Sequence, residues 1–293
     1  MHCPTNAVSA LPPGAGRRTV LAAAATLIAA GRTLPARASS AQLVRITGTG
    51  SAMGTVRELA EAHRRRSPAV AEVQFLPNLG TTGGIAAVLE SAADVALAAR
   101  PLKDAERAAG AREIAYARTP LAFATKAGGP AVRAVAMDDV VRIYAGELAE
   151  WPDGKPIRVV RRPSSDMGYI ALAAASPAMA DALAAAQRRP GLVTAGTDQD
   201  NAEALEAVHG SFGAITLAQF LSEQRRLTLL ALDGVEPSPR AVAEGRYPLS
   251  VTFRFVTRAE PAPAAAAFME FAAGPEGGAI LAGLGQEPIG GGA

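Results

Sequence analysis

The chain has 293 residues, of which 49% are apolar, and this is enough for one large domain or two modest domains with packed cores. Four of its 29 basic residues lie within the first 38 positions, which contain no acidic residue, so 25 basic and 27 acidic residues remain after them. This balance excludes a general electrostatic attraction to nucleic acid or acidic membranes, and any attraction for anions has to be local.

The first 38 residues have the features of an export signal. Arg17 and Arg18 precede an apolar run over residues 20–30, and small residues near Ala38 offer a cleavage point. The paired arginines resemble the twin-arginine type, and the general secretory route stays open. The only cysteine, Cys3, precedes the apolar run, so the cleaved chain has no thiol for a disulfide, a metal or a nucleophile. We therefore expect a signal peptide that is cleaved near Ala38 and a periplasmic product.

Strands and helices alternate along the first half of the exported chain. The patterns predict strands over residues 43–46, 70–76 and 95–98, with amphipathic helices after the first two. Alternation of this kind is typical of an α/β fold, in which helices flank a parallel sheet. Ligands of such sheets lie at the carboxyl ends of the strands.

A second unit follows residues 120–124. The patterns there predict a helix over 137–148, a strand over 157–160, one long Ala-rich helix over 169–187, a strand over 247–257 and two helices over 264–272 and 275–282. The second half therefore repeats the strand-and-helix character of the first.

Three Gly/Ser/Thr-rich turns each stand between a short strand and a helix. They cover residues 48–51, 80–84 and 161–166. Glycine lets the backbone approach a ligand closely, hydroxyls add hydrogen-bond donors, and the unpaired N–H groups of a helix start carry partial positive charge. One such turn is explained by helix capping alone. Three in one chain, two of them near arginines, favour a tetrahedral oxyanion held by loops from different elements.

Several segments resemble the periplasmic phosphate-binding proteins of ABC importers. The similar strings are residues 79–85, 93–102 and 139–146, followed by Trp151 and the arginine turn. The likeness runs from about residue 44 to 271. It implies a two-lobed type II periplasmic binding protein fold, in which each lobe is a mostly parallel sheet flanked by helices and the ligand cleft lies between them. Lobe 1 would comprise residues 39–123 and 233–293, and lobe 2 residues 124–232.

The resemblance also implies a function and a site. The ligand would be phosphate, with sulfate, molybdate or tungstate as alternatives, and a monomeric protein would deliver it to the membrane permease of an ABC importer without a cofactor or a metal. The implied ligand-binding residues are Thr49, Gly50, Ser51, Thr81, Thr82 and Arg100 from lobe 1 and Arg162, Ser164, Ser165 and Asp166 from lobe 2.

Two positions depart from the pattern of phosphate binders. Arg100 stands where these proteins typically have Asp, and its alternative role is a surface ion pair with Asp104 or Glu106. Asp166 begins the Asp-Met-Gly that replaces the usual Ser-Gly-Thr, and it is either an acceptor for a protonated ligand or the N-cap of the following helix.

Two other functions share this sequence evidence. A protein that senses an anion for a membrane receptor would use the same cleft. An enzyme is the less favoured alternative: residues 48–54 approximate a dinucleotide fingerprint, but the second strand does not end in the acidic residue that would hold a ribose hydroxyl. The sequence also contains neither a phosphate-loop motif of the GxxxxGK[ST] type nor a GxSxG nucleophile elbow.

Overall fold

A computed structural model of the protein describes residues 43–66 and 72–289, so the predicted signal peptide and its cleavage point lie outside the described residues. The first part alternates strands and helices: β1 (Val44–Gly48), α1 (Gly50–Arg66), β2 (Val73–Phe75), α2 (Gly80–Leu89), β3 (Val95–Ala98) and α3 (Asp104–Ala108). A strand of 16 residues follows, β4 (Ala111–Lys126). The strand predicted over 95–98 is therefore confirmed. The strand predicted over 43–46 corresponds to β1, which begins one residue later and ends two residues later. The strand predicted over 70–76 contains the shorter β2, and residues 70 and 71 lie outside the described residues.

The middle of the chain forms smaller elements. They are β5 (Ala134–Val135), α4 (Met137–Ala145), β6 (Arg158–Arg161), α5 (Met167–Ala173), α6 (Pro177–Arg188), β7 (Val193–Thr194), α7 (Asp198–Ala207), β8 (Ser211–Thr216), α8 (Leu217–Ser222) and β9 (Leu227–Leu232). The chain ends with α9 (Pro239–Ala243), β10 (Ser250–Arg258), α10 (Pro263–Ala273), α11 (Pro275–Gly283) and β11 (Glu287–Pro288). Among the described residues, no helix is both long and apolar enough to cross a bilayer.

The single long helix predicted over 169–187 is wrong, because the chain breaks it into α5 and α6. Ser176 has an extended backbone and accepts a hydrogen bond from the Met179 N–H at 3.1 Å, so it caps α6. Pro177 then occupies the first turn, where its missing N–H removes no helical hydrogen bond. The Ser-Pro pair is therefore the start of a second helix inside the Ala-rich segment.

The sheet joins two groups of strands through β4. Its order is β2-β1-β3-β10-β4-β8-β6-β7, with β1 parallel to β2 and β3, and β6 parallel to β7 and β8. The first part of β4 pairs antiparallel with β10, and its last residues pair antiparallel with β8 and β9. The expected α/β organisation is confirmed, with β4 common to both groups.

Apolar side chains fill the space between this sheet and its helices. Phe123 of β4 stacks on Phe212 of β8 with ring centroids 5.4 Å apart, and Tyr116 stacks on Phe255 of β10 at 4.0 Å. All four side chains are fully buried. Burial of a large apolar side chain contributes about 1.5–3 kcal/mol, so these pairs fix β4 firmly against both neighbours.

Gly48 ends β1 at a point where a side chain would not fit against the backbone of the neighbouring strand β3. Its φ is +129°, and a Cβ there would lie closer than 3.0 Å to the backbone of Leu97 in β3. Only glycine adopts this conformation without strain. The next residue, Thr49, donates its N–H to the Leu97 carbonyl at 2.8 Å, so this close approach fixes where α1 begins.

Candidate functional site

The start of α1 lies at the carboxyl end of β1 and carries two hydroxyl groups. Both Thr49 and Ser51 are buried, and their hydroxyl oxygens are 3.0 Å apart. The Ser51 N–H donates to Oδ2 of Asp198 at 2.9 Å, and the Thr49 hydroxyl donates to the same oxygen at 3.1 Å. A helix start therefore points one backbone donor and one hydroxyl donor at a single carboxylate oxygen, as it would at an anionic ligand.

Arg162 approaches the same carboxylate from the other side. Its guanidinium lies 3.2 Å from Oδ1 of Asp198 and 2.6 Å from Oδ2 of Asp166, with only 12% of the side chain exposed. It also donates to the carbonyls of Ala195 and Thr197. We call Thr49, Ser51 and Arg162 the three-donor site, because a backbone N–H, a hydroxyl and a guanidinium converge there on one carboxylate.

Asp166 performs the capping role and also lies beside Arg162. Its Oδ1 accepts the N–H groups of Gly168 and Tyr169 at 2.9 and 3.1 Å, which caps α5, while its Oδ2 faces Arg162. Ser164 and Ser165 are exposed on the same loop. The structure therefore brings Arg162 and Asp166 together and leaves the two serine hydroxyls at the surface.

Gly50 lies in a tightly packed contact between α1 and α7. Asn78 donates to Oε1 of Gln199 at 3.0 Å, and Gln199 donates in turn to the Gly50 carbonyl at 3.2 Å. A Cβ at Gly50 would lie closer than 3.0 Å to both side chains. The absence of a side chain at Gly50 thus lets α7 approach the start of α1.

Thr81 and Thr82 begin α2 and contact the segment after β3. The Thr81 hydroxyl accepts the Ala99 N–H at 3.0 Å, and the Thr82 hydroxyl accepts a hydrogen bond from Arg100 at 3.3 Å. Arg100 also donates twice to Glu106, at 2.7 and 2.8 Å, and this pairing lowers the pKa of the Glu106 carboxyl. The ion pair weighed for Arg100 from the sequence is present, so its guanidinium already has a carboxylate partner.

Two cavities share a wall that includes Thr49 and Arg162 of the three-donor site. An outer cavity of about 450 Å³ opens between the starts of α1, α2 and α7 and the loop before α5, and Thr81, Thr82 and Ser165 line it. An inner cavity of about 40 Å³ is lined by apolar side chains such as Leu172 and Val251. Thr49, Arg162, Asp166, Met167 and Asp198 line both. The outer cavity is much larger than a single tetrahedral anion needs.

Asp198 is the site residue that sequence reasoning missed. It follows Thr197, whose hydroxyl accepts the Asp200 N–H at 3.1 Å while Asp200 accepts the Thr197 N–H at 2.9 Å. This capping box marks a helix start in the sequence, but it gives no sign that Asp198 reaches a helix 147 residues earlier in the chain. Burial raises the pKa of Asp198, the neighbouring Asp166 raises it further, and Arg162 opposes the shift.

The family comparison agrees with this architecture. The PBP superfamily domain matches residues 35–276, which is most of the chain. No curated protein is similar enough in sequence to match it.

Solved structures with the same fold have low sequence identity to this chain. A phosphate ABC transporter substrate-binding protein from Clostridium perfringens, solved with bound phosphate, is 22% identical with a TM-score of 0.72, over 85% of this chain and 100% of that one. An ABC-type phosphate transport receptor from Vibrio cholerae is 18% identical with a TM-score of 0.60, over 83% and 99%. A phosphate-binding protein from Stenotrophomonas maltophilia is 15% identical with a TM-score of 0.57, over 78% and 83%. These likenesses establish the two-lobed type II fold predicted from the sequence.

Proposed function

We propose that this chain, which belongs to the PBP superfamily, is an exported solute-binding protein that captures a small oxyanion between two lobes and delivers it to the permease of an ABC importer. Phosphate is the first candidate ligand, since proteins of the same fold are named for phosphate transport and one was solved with phosphate bound. Sulfate, molybdate and tungstate are the alternatives. We propose lobe limits of 39–123 with 233–293, and 124–232.

One observation carries the proposal: the three-donor site already holds an oxyanion, the carboxylate of Asp198. Its donors come from the start of α1, in the proposed lobe 1, and from Arg162 directly after β6, in the proposed lobe 2. Backbone N–H groups at helix starts, hydroxyls and guanidinium groups are the donors that proteins use for phosphate and related anions. A ligand held there would contact both lobes at once, so its binding would favour the closed arrangement.

The other predicted residues near the three-donor site would add contacts to the ligand. Thr81, Thr82 and Ser165 line the outer cavity and could donate hydroxyl hydrogen bonds to a ligand oxygen.

Asp166 would make the site prefer phosphate to sulfate, because a carboxylate can accept the O–H of hydrogen phosphate and repels fully ionised sulfate. Asp166→Asn keeps a capping side chain, so a change in phosphate against sulfate preference in a competition assay would report on the lost charge.

Arg162 provides the direct test of the site. A hydrogen bond to a charged group contributes about 1.5–3 kcal/mol, so we expect Arg162→Ala to weaken phosphate binding by about tenfold or more in calorimetry. Arg158→Ala is the matched control, because this exposed arginine begins the same strand, β6. Arg162→Gln serves if the alanine variant does not fold. Unchanged affinity in the folded Arg162 variants would contradict the assigned site.

The ligand class and export are tested separately. A thermal-shift screen of the chain from Ser39 with phosphate, sulfate, molybdate and tungstate should raise Tm for at least one anion, since a ligand at 100 times its Kd stabilises the folded state by about 2.7 kcal/mol. No shift with any anion would contradict the function.

Mass spectrometry of protein from the native host should find a first residue at or near Ser39, whereas retained residues 1–38 would contradict export.

The sensing function remains the second candidate, since it needs the same cleft and differs only in the membrane partner. Co-purification with a permease, as opposed to a receptor, would separate the two. Turnover assays test the enzymatic alternative.

A further inference from the structure

We propose that the Asp198 carboxylate is an internal competitor for the three-donor site, which an incoming oxyanion has to displace. This inference rests on the proposed function, because it concerns the same donors. It adds a property to the site: the protein would bind its anion more weakly than it would if the three donors were free of Asp198.

The hydrogen bonds of Asp198 support this role. Its Oδ2 accepts from the Ser51 N–H and the Thr49 hydroxyl, and its Oδ1 lies against Arg162. Each of these donors is one that a bound oxyanion would require. The carboxylate therefore uses all three elements of the three-donor site, as a ligand would, and the two cannot use the same donors at once.

The local charge leads to the same conclusion. The single positive charge of Arg162 already faces two carboxylates, at 2.6 and 3.2 Å. A dianion added beside them would place three anionic groups around one guanidinium in a buried site, where repulsion between like charges is strong. Displacement of Asp198 removes one of these anionic groups and leaves the Arg162 guanidinium free to contact the ligand.

The displaced side chain has a favourable place to go. Asp198 lines the outer cavity of about 450 Å³, so open space lies directly beside its side chain. It stands in the first turn of this ten-residue helix, where the partial positive charge of the helix start favours a carboxylate in either position. The helix start itself is held by Thr197 and Asp200, independently of Asp198.

The competitor also links the two lobes. The donors Thr49 and Ser51 follow β1, whereas Asp198 and Arg162 follow β7 and β6. A bound anion would therefore replace the contacts that Asp198 makes between the proposed lobes with contacts of its own. The loss of the Asp198 contacts would offset part of its binding energy.

The test is the affinity of Asp198→Asn for phosphate and for sulfate, measured by calorimetry at one pH and ionic strength. We expect both anions to bind at least tenfold more tightly than to the wild-type chain, because the competing charge is gone. Asp200→Asn is the matched control: it removes the same charge from the same helix start, two residues away on an exposed side chain, and should change either affinity by less than twofold. Asp198→Ser is the second variant if the first does not fold.

The outcomes separate the two proposals. Unchanged affinity for both anions in Asp198→Asn would overturn the competitor. Weaker phosphate binding in this variant, with binding intact in the wild-type chain, would also overturn it and make Asp198 a ligand contact instead. An equal gain in Asp200→Asn would also overturn it, because the effect would then be one of general charge. Binding of neither anion to the wild-type chain or to any variant would overturn the proposed function itself, and the competitor with it.

Discussion

Replacement of Gly48 by alanine should destabilise the protein more than any ordinary glycine substitution at the surface. The φ of +129° is strained for a residue with a Cβ, which costs about 1–3 kcal/mol. The new Cβ would also overlap the backbone of Leu97, and forced overpacking costs about 1–3 kcal/mol. The unfolded alanine variant has less conformational entropy than the unfolded wild type, and this offsets about 0.4–1 kcal/mol of the two costs. We expect a net loss of about 1–5.5 kcal/mol in the free energy of unfolding.

Urea unfolding of the chain from Ser39 measures this loss, and Gly128→Ala provides the control. Gly128 also has a positive φ, of +68°, but no atom lies within 4 Å of the position of a new Cβ. It should therefore lose only the conformational part, about 1–2 kcal/mol, without the overlap. If Gly48→Ala is no less stable than Gly128→Ala, then the close approach of β1 and β3 does not constrain this position as argued.

Two further predictions concern charged residues. Arg100→Ala should reduce phosphate affinity less than Arg162→Ala in calorimetry, since Arg100 pairs with Glu106 and lines neither of the two cavities, whereas Arg162 lines both. An equal or larger loss would place Arg100 at the ligand. Hydrogen bonds from Arg45 lower the pKa of Asp94, so this carboxyl contributes stability that is present above its unfolded pKa of about 3.9 and lost as the pH falls through its lower folded value. Urea unfolding should show Asp94→Asn less stable than wild type at pH 7 and the difference shrinking at pH 2–3, and a constant difference would contradict the assignment.

Local sequence patterns predicted most of the elements because their signals are short-range. The starts of α1 and α2 follow glycine-rich turns, and the ion pair of Arg100 with Glu106 spans only six residues. The break between α5 and α6 was equally local, but the high helix propensity of the surrounding alanines hid the Ser-Pro signal.

Local patterns could not predict the contacts of Asp198 with the three-donor site. Asp198 is one acidic residue among several in a helix start, and nothing near it in sequence distinguishes it from Asp200. Its role depends on how α7 packs against α1, which in turn requires the missing side chain at Gly50. Long-range packing of this kind is set by the whole fold, so sequence reasoning found the donors of the three-donor site but not the group that they hold.

The continuity of β4 has a consequence for how the protein can be divided. One uninterrupted strand, β4, forms hydrogen bonds with β10 along its first part and with β8 and β9 at its end. A cut in the chain near residue 123 would therefore divide β4 and separate the two groups of strands that it joins. Each fragment would then expose an unpaired strand edge, which promotes aggregation. We therefore expect neither fragment to fold on its own.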